Sequence, residues 1–352
     1  MLRSRLLAVP VSAMLGLALL PPSAQAAAVP SAVPMKAAAA SASSKAKVVR
    51  VATFNVRTAR ATQDKRGWLK RAPDVAREIL ARKPGVVALQ ELGPGRADGK
   101  KGTLKGHIRQ TTSLTTTLRR LGGGRYKLVR ETSYFKPGTK HGTQGARILY
   151  DSSRYTLKTR CPEKTGKRGY NTACAFDLPL ASGDSKEKLR SAAYAEFADR
   201  STGHHFFVVS AHLDSRHSKS NKTEAKYNRL RASQARAVAD RLARVNPKNR
   251  PVVFGGDINS WRTDRGRYAP LRALVAKGYR DTSTAQVRIN YAYTTVNHYD
   301  VKLKKSKSGN GTRLDVVMVK GGHGVKRYEN KMAVVDRARP SDHNMGLADI
   351  LI

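Results

Sequence analysis

The sequence predicts an α+β fold, two packed, mixed sheets with helices on their outer faces, and three observations carry that prediction. Short apolar runs recur along the chain at the length of buried strands. Segments of helical period stand between many of them, without the strict strand–helix alternation of an all-parallel sheet. The runs end in, or lie beside, short polar motifs: Thr53-Phe54-Asn55, Leu89-Gln90-Glu91, Ala211-His212-Leu213-Asp214, Gly255-Gly256-Asp257-Ile258-Asn259, Leu314-Asp315 and Ser341-Asp342-His343. Such strands would carry their polar residues to a common sheet edge. Two histidines, several carboxylates and two asparagines gathered there make a site for a divalent cation and a phosphate.

Taken in order, the first strand is expected over 48–54. Residues 68–81 read as an amphipathic helix, with Trp68, Ala72, Val75, Ala76 and Ile79 near helical spacing. Pro73 suits a first turn, so the regular part is expected to begin near Ala72. Pro84-Gly85 ends the helix, and 86–89 is the next strand. A glycine- and lysine-rich loop, 93–106, precedes a short helix over 114–121, closed by Gly122-Gly123-Gly124. Strands are expected at 126–130, 146–150, 192–197 and 206–210, the last two as an antiparallel hairpin around Ser201-Thr202-Gly203. The longest helical stretch is 224–245, with Leu230, Ala237, Val238 and Leu242 on one apolar face. A strand at 252–254, a short helix over 268–276 and strands at 314–319, 325–328, 331–335 and 345–351 complete the series.

Residues 1–26 read as a secretory signal peptide. Arg3 and Arg5 open it, a mostly apolar stretch runs from Leu6 to Leu20, and Ala24-Gln25-Ala26 is an A-x-A cleavage site. Residues 27–45, mostly Ala, Ser, Val and Pro, read as a disordered lead-in. That leaves 46–352 as one folded domain. The expected product is a secreted, extracellular monomer with no stable membrane association, since no later stretch could span a bilayer. The 67 Lys and Arg residues against 25 Asp and Glu give a net charge of +42. A neutral small-molecule substrate does not call for that field, whereas a polyanion is concentrated by it. Cys161 and Cys174 are the two cysteines. In an exported protein a disulfide is the default, and two cysteines are too few for a zinc site by themselves.

The motifs have a chemical logic of their own. Asp257 and Asn259, two apart in an extended segment, face one ligand together. The acid can orient a water and the amide can donate to a phosphate oxygen. Gly255-Gly256 is expected to let a substrate backbone come close. Glu91 and Asn55, at neighbouring strand ends, make an oxygen-rich cation site. His212 and His343 can neutralise a developing oxyanion or donate a proton to a leaving oxygen, and Asp315 can fix the tautomer of one of them. The remaining histidines, His205 among them, are expected in solvated turns and loops.

In this order the motifs resemble the endonuclease/exonuclease/phosphatase superfamily, and Phe54-Asn55-Val56-Arg57-Thr58 looks particularly like its deoxyribonuclease I branch. The likeness runs from Val51 to about Asp349. It implies a four-layer α/β/β/α sandwich, two mixed and mostly antiparallel sheets flanked by helices. It implies Glu91 as the principal Mg²⁺ ligand, with Asn55 beside it and Asp342 in support, Mn²⁺ as an alternative ion and Ca²⁺ as a further candidate. Asp257 would position the attacking water, Asn259 hold the phosphate, and Arg57 contact it. His212 and His343 would flank the scissile group, with Asp315 orienting His343. Where that branch places an acid to orient the first histidine, this chain has Gln144. Either another acid serves, or His212 is less basic and chiefly binds phosphate.

The expected function is a secreted, metal-dependent endonuclease with little sequence preference, acting on DNA, with RNA as the alternative polymer. Basic loops at 93–106, 158–168 and 302–313 suit a nucleic-acid backbone. Two other readings stand beside it. A sphingomyelinase-type phospholipase would need an apolar or aromatic hairpin for membrane insertion, and no exposed aromatic cluster of that kind is visible. A non-catalytic binder of extracellular polyanions would not need the complete motif set.

Overall fold

A computed structural model describes residues 46–61, 66–134, 144–163, 173–260 and 268–352. The expected signal peptide (1–26) and lead-in (27–45) lie outside the described residues, as does part of the basic stretch 158–168. The first sheet orders its strands β11 (Val287–Ile289), β13 (Gly324–Lys331), β14 (Met345–Leu351), β1 (Val48–Asn55), β2 (Val86–Gln90), β4 (Arg147–Asp151) and β3 (Tyr126–Leu128). The second runs β10 (Arg280–Asp281), β12 (Asp315–Lys320), β9 (Val252–Asp257), β8 (His205–His212), β7 (Ser191–Asp199) and β5 (Tyr155–Leu157), with β6 (Ala175–Asp177) also paired to β7. Both sheets are mixed: β1 lies parallel to β2, β8 to β9 and β11 to β13, and the other pairings are antiparallel.

Strand alternation builds the layers. Val51, Val86, Val208 and Val317 point into the space between the sheets, beside Phe197 and Phe206. Their neighbours Ala52, Val87, Val209 and Val316 point outward. On the first sheet the outward residues meet Trp68, Val75 and Ile79 of α1 (Trp68–Arg82) and Leu114 and Leu118 of α2 (Gln110–Arg120). On the second they meet Ala235, Val238 and Leu242 of α3 (Asn221–Val245) and Leu274 of α4 (Ala269–Ala276). Three apolar interfaces separate four layers, which is the expected α/β/β/α sandwich.

Several elements differ from expectation. Helix α1 begins at Trp68, so Pro73 stands inside it rather than in its first turn. The hydrogen bond that proline forfeits would have run to Leu69, a residue 53% exposed, where water can serve instead. The strand expected over 331–335 ends at Lys331, and Val335 makes only an isolated bridge to Ala338. Strands β5, β6, β10 and β11 are too short to show a period. His205 belongs to β8, where it meets Glu196 at 2.5 Å and is not a solvated turn residue.

The glycine pair before Asp257 also has a different purpose. A Cβ on Gly255 would lie 2.5 Å from the Ala88 Cβ of the opposite sheet, and one on Gly256 would lie 2.6 Å from the Ala211 carbonyl. These glycines let the two sheets and adjacent strands approach, rather than admitting substrate. The same level of the sandwich carries a buried polar link: Gln90 Nε2 donates to Ser210 Oγ at 3.2 Å, and that hydroxyl donates to the Leu89 carbonyl at 2.7 Å. Gln90 therefore joins the sheets directly beneath the site.

Candidate active site

Asn55, Gln90, His212 and Asp257 end β1, β2, β8 and β9. Asp315 opens β12, which runs antiparallel to β9 with Asp315 opposite Asp257. His343 lies two residues before β14, which runs antiparallel to β1. Carboxyl ends of four strands and amino ends of two reversed strands thus share one rim. The rim belongs to both sheets, not to one sheet edge.

Asp257 Oδ2 is the geometric centre. Asn55 Nδ2 donates to it at 3.1 Å, His212 Nε2 lies at 3.5 Å and His343 Nε2 at 4.0 Å. Asn55 Nδ2 also donates to Glu91 Oε1 at 3.1 Å, so one amide bridges the two carboxylates. Its carbonyl accepts from the Arg57 backbone N–H at 3.1 Å, which fixes the ring of contacts. Glu91 Oε2 accepts from the Thr58 N–H at 2.9 Å. Asn259 donates its backbone N–H to Asp257 Oδ1 at 2.9 Å and its side-chain amide to the Leu213 carbonyl at 3.0 Å. Asp342, expected at the metal, has Arg57 as a neighbour, with Oδ2 3.2 Å from Nη1.

Arg57, Glu91 and Asn259 have positive φ, at 58°, 58° and 47°. Left-handed backbone is sparsely populated by such residues outside Asn, and strain of this kind collects at functional sites. Here it turns each of the three side chains into one cleft just past its strand end.

Electrostatics separates the two histidines. His343 Nδ1 lies 2.8 Å from Asp315 Oδ2. Burial opposes its charge, but Asp315 beside it, with Asp257 and Asp342 nearby, holds its pKa up at about 10. His212 has Asp257 at 3.5 Å but no carboxylate as close as Asp315 is to His343: burial first, then the positive charges of Arg190, His343 and Arg57, hold it well below its ordinary value. Gln144 lines the same cleft, with its carbonyl committed to Ser133 Oγ and the Tyr134 N–H, each at 2.7 Å. Of the two readings left by Gln144, the less basic histidine is the one this geometry favours. Burial and the neighbouring Asp315 push Asp257 upward, which makes it a better base.

The donor set suits a hard cation. Asp257, Asp315 and His343 place ligand atoms within 4.8 Å of one another. An imidazolium in that trio repels a cation, so the carboxylates of Glu91 and Asp257, joined through Asn55, are the better seat. Mg²⁺ is commonly held by one or two carboxylates, with water and substrate phosphate completing its shell. Bound there, it would supply charge neutralisation at the phosphate.

The cleft, about 720 Å³, is walled by arginines: Arg57, Arg60, Arg96 and Arg190. Arg190 was not evident from sequence, since it precedes β7 in a stretch without a motif. It donates to Ser215 Oγ at 2.7 Å. Arg71 was missed as well. It is fully buried and donates to the carbonyls of Val56 (2.9 Å), Pro340 (3.1 Å), Arg66 (2.9 Å) and Arg57 (3.4 Å). It ties the segment carrying Arg57 to the one carrying Ser341-Asp342-His343.

A four-layer sandwich with acids, amides and histidines on the shared rim defines a class, the phosphoesterases. The chain belongs to the endonuclease/exonuclease/phosphatase family, whose model matches residues 52–343. Among solved structures it is similar to an endonuclease/exonuclease/phosphatase family protein of Bacteroides thetaiotaomicron, at 17% identity and TM-score 0.61, covering 88% of this chain and 99% of that one. It is similar to a mannosyl-6-phosphatase of the same organism, at 19% identity and TM-score 0.59, covering 86% and 100%. It is also similar to D. rerio TDP2 complexed with a single-strand DNA product, at 15% identity and TM-score 0.52, covering 87% and 99%. At these identities the likeness is one of fold. No curated protein matches the chain in sequence.

Cys161 and Cys174 form a disulfide, with Cα atoms 5.6 Å apart. Among the described residues no helix is long and apolar enough to cross a membrane.

Proposed function

We propose that the protein is an exported, Mg²⁺-dependent endonuclease that hydrolyses DNA with little sequence preference. The observation that carries this reading is the cleft itself: four arginines wall a hydrolytic centre in a chain of net charge +42. Guanidinium groups match phosphate oxygens two at a time and carry no base information, which suits backbone recognition. The disulfide supports an oxidising, extracellular location.

The residues divide the reaction among them. Water attacks phosphorus as the P–O bond to the leaving oxygen breaks. Asp257 holds and deprotonates the water. Asn259 and the cleft arginines hold the phosphate. His343, charged and oriented by Asp315, stabilises the departing oxygen and protonates it. His212, neutral, hydrogen-bonds a phosphate oxygen or the water. One neutral and one charged imidazole, separated by environment, give a base-side and an acid-side group at the same pH.

The test is nicking of supercoiled plasmid at neutral pH and low salt. Activity is expected with Mg²⁺, and loss with EDTA or in Asp257→Ala. RNA, sphingomyelin vesicles and a sugar 6-phosphate run in parallel. Turnover of any of these with plasmid untouched would replace the DNA reading.

A further inference from the structure

Helix α3 has an outer face unlike one that merely meets water. Of its seven exposed positions, five are Lys222, Lys226, Arg229, Arg236 and Arg244. At 3.6 residues per turn, all five fall within about 40° of one line along the helix. Like charges at these spacings destabilise a helix, as between Lys222 and Lys226 or Lys226 and Arg229. The nearby acids do not offset them: Glu224 is buried against Arg231, and Asp240 is paired with Lys277 at 2.8 Å. A solvating face ordinarily mixes both signs.

This stripe runs beside one wall of the cleft. Helix α3 begins shortly after His212, the last residue of β8, and its Arg231 donates to the Asp214 and Arg216 carbonyls at 3.4 and 2.7 Å, on either side of the cleft-lining Ser215. Lys226 Nζ donates to the Ser182 carbonyl at 3.3 Å, and Arg216 binds Asp184 at 2.6 Å. The lysine contact, with Gln234 Nε2 donating to the Pro179 carbonyl at 3.0 Å, seats the helix on the segment that leads to Arg190, and the arginine pair ties the Ser215 loop to that segment; Arg190 and Ser215 both line the cleft. Exposed Lys186 and Lys188 stand on that wall on either side of Glu187, the acid at its rim.

We propose that a DNA duplex held in the cleft continues over this wall and along the outer face of α3, which forms a phosphate-binding track for long substrates. This rests on the nuclease reading and adds to it a requirement for length. A 25-residue helix is about 37 Å long at 1.5 Å per residue, the reach of roughly 11 base pairs.

The test compares wild type with the triple variant Lys222→Ala/Lys226→Ala/Arg229→Ala, which removes three charges and no buried side chain. Binding to a duplex of about 40 base pairs, and to a hairpin stem of about 8, is measured in EDTA over a range of salt. For the long duplex, the slope of log Kd against log salt is expected to fall by about 2 to 3, near 0.9 per lost phosphate contact. The short stem should keep its slope, and hydrolysis of bis(p-nitrophenyl) phosphate with Mg²⁺ should be unchanged. An unchanged slope for the long duplex, an equal loss for both lengths, or no duplex binding by wild type overturns the track. So does an effect confined to phosphatidylglycerol vesicles. Failure of wild type to hydrolyse the small diester or to nick plasmid counts separately, against the nuclease reading.

Discussion

His343 Nδ1 lies 2.8 Å from Asp315 Oδ2, and this pair decides which histidine of the site carries charge. Asp315 is fully buried and opposite Asp257 across two strands, so its charge is directed into the site. Asp315→Asn keeps the shape and removes the charge. The His343 pKa is expected to fall from about 10 toward its ordinary value. Activity at neutral pH should drop ~100-fold or more. NMR titration of the imidazole and plasmid nicking over pH check both parts.

The two histidines impose opposite pH dependences on stability. His343 is raised, so its contribution is complete below about pH 6.5 and is lost as pH rises through about 10. His212 is lowered, so its contribution is complete above about pH 6.5 and is lost as pH falls below that. Urea midpoints for His343→Gln should show a flatter alkaline side than wild type, and those for His212→Gln a flatter acid side.

Asn55 holds Glu91 and Asp257 through one amide. Without metal, Asn55→Ala leaves two close carboxylates unbridged and should lower stability by about 1–3 kcal/mol. Mg²⁺ should raise the melting temperature of wild type, with saturation near 100 times Kd adding about 2.7 kcal/mol. The same titration should leave Glu91→Gln nearly unmoved, and EDTA should abolish the wild-type shift.

Arg71 touches backbone on both sides of the site, through Val56 and Pro340. Lysine retains the charge but not the fork of donors. Arg71→Lys is expected to lower kcat about tenfold with KM little changed, because the chemistry depends on placement more than binding does. A proportional loss of folded protein with normal kcat per active molecule would show a structural role only.

The sheets meet at Gly255 and Ala88, where an added Cβ would sit at 2.5 Å. Gly255→Ala should cost about 1–3 kcal/mol through overpacking. Ala88→Gly in the same chain should restore much of it, a coupling that a double-mutant cycle in guanidinium measures.

The amino-acid sequence by itself determined the main strands, the long helices and the identity of the rim residues. Each of those signals is local: apolar runs of 48–54 or 206–210, helical spacing in 68–81, and a polar residue where a run stops. Asn55, Glu91, Asp257, Asn259 and His343 could be named because strand ends are legible one at a time. The sequence did not show that the rim spans two sheets, since that follows from packing Val51 and Val208 into one interior. Nor did it show Arg71 and Arg190, whose partners come from distant segments and leave no pattern along the chain. The purpose of Gly255 changed for the same reason, because its neighbour Ala88 lies in the other sheet. Above all, the unequal charge of His212 and His343 is a property of burial and of neighbours. Sequence, through the family resemblance, supplies two imidazoles and Asp315 as the partner of one; only the tertiary structure buries both and places arginines around the other.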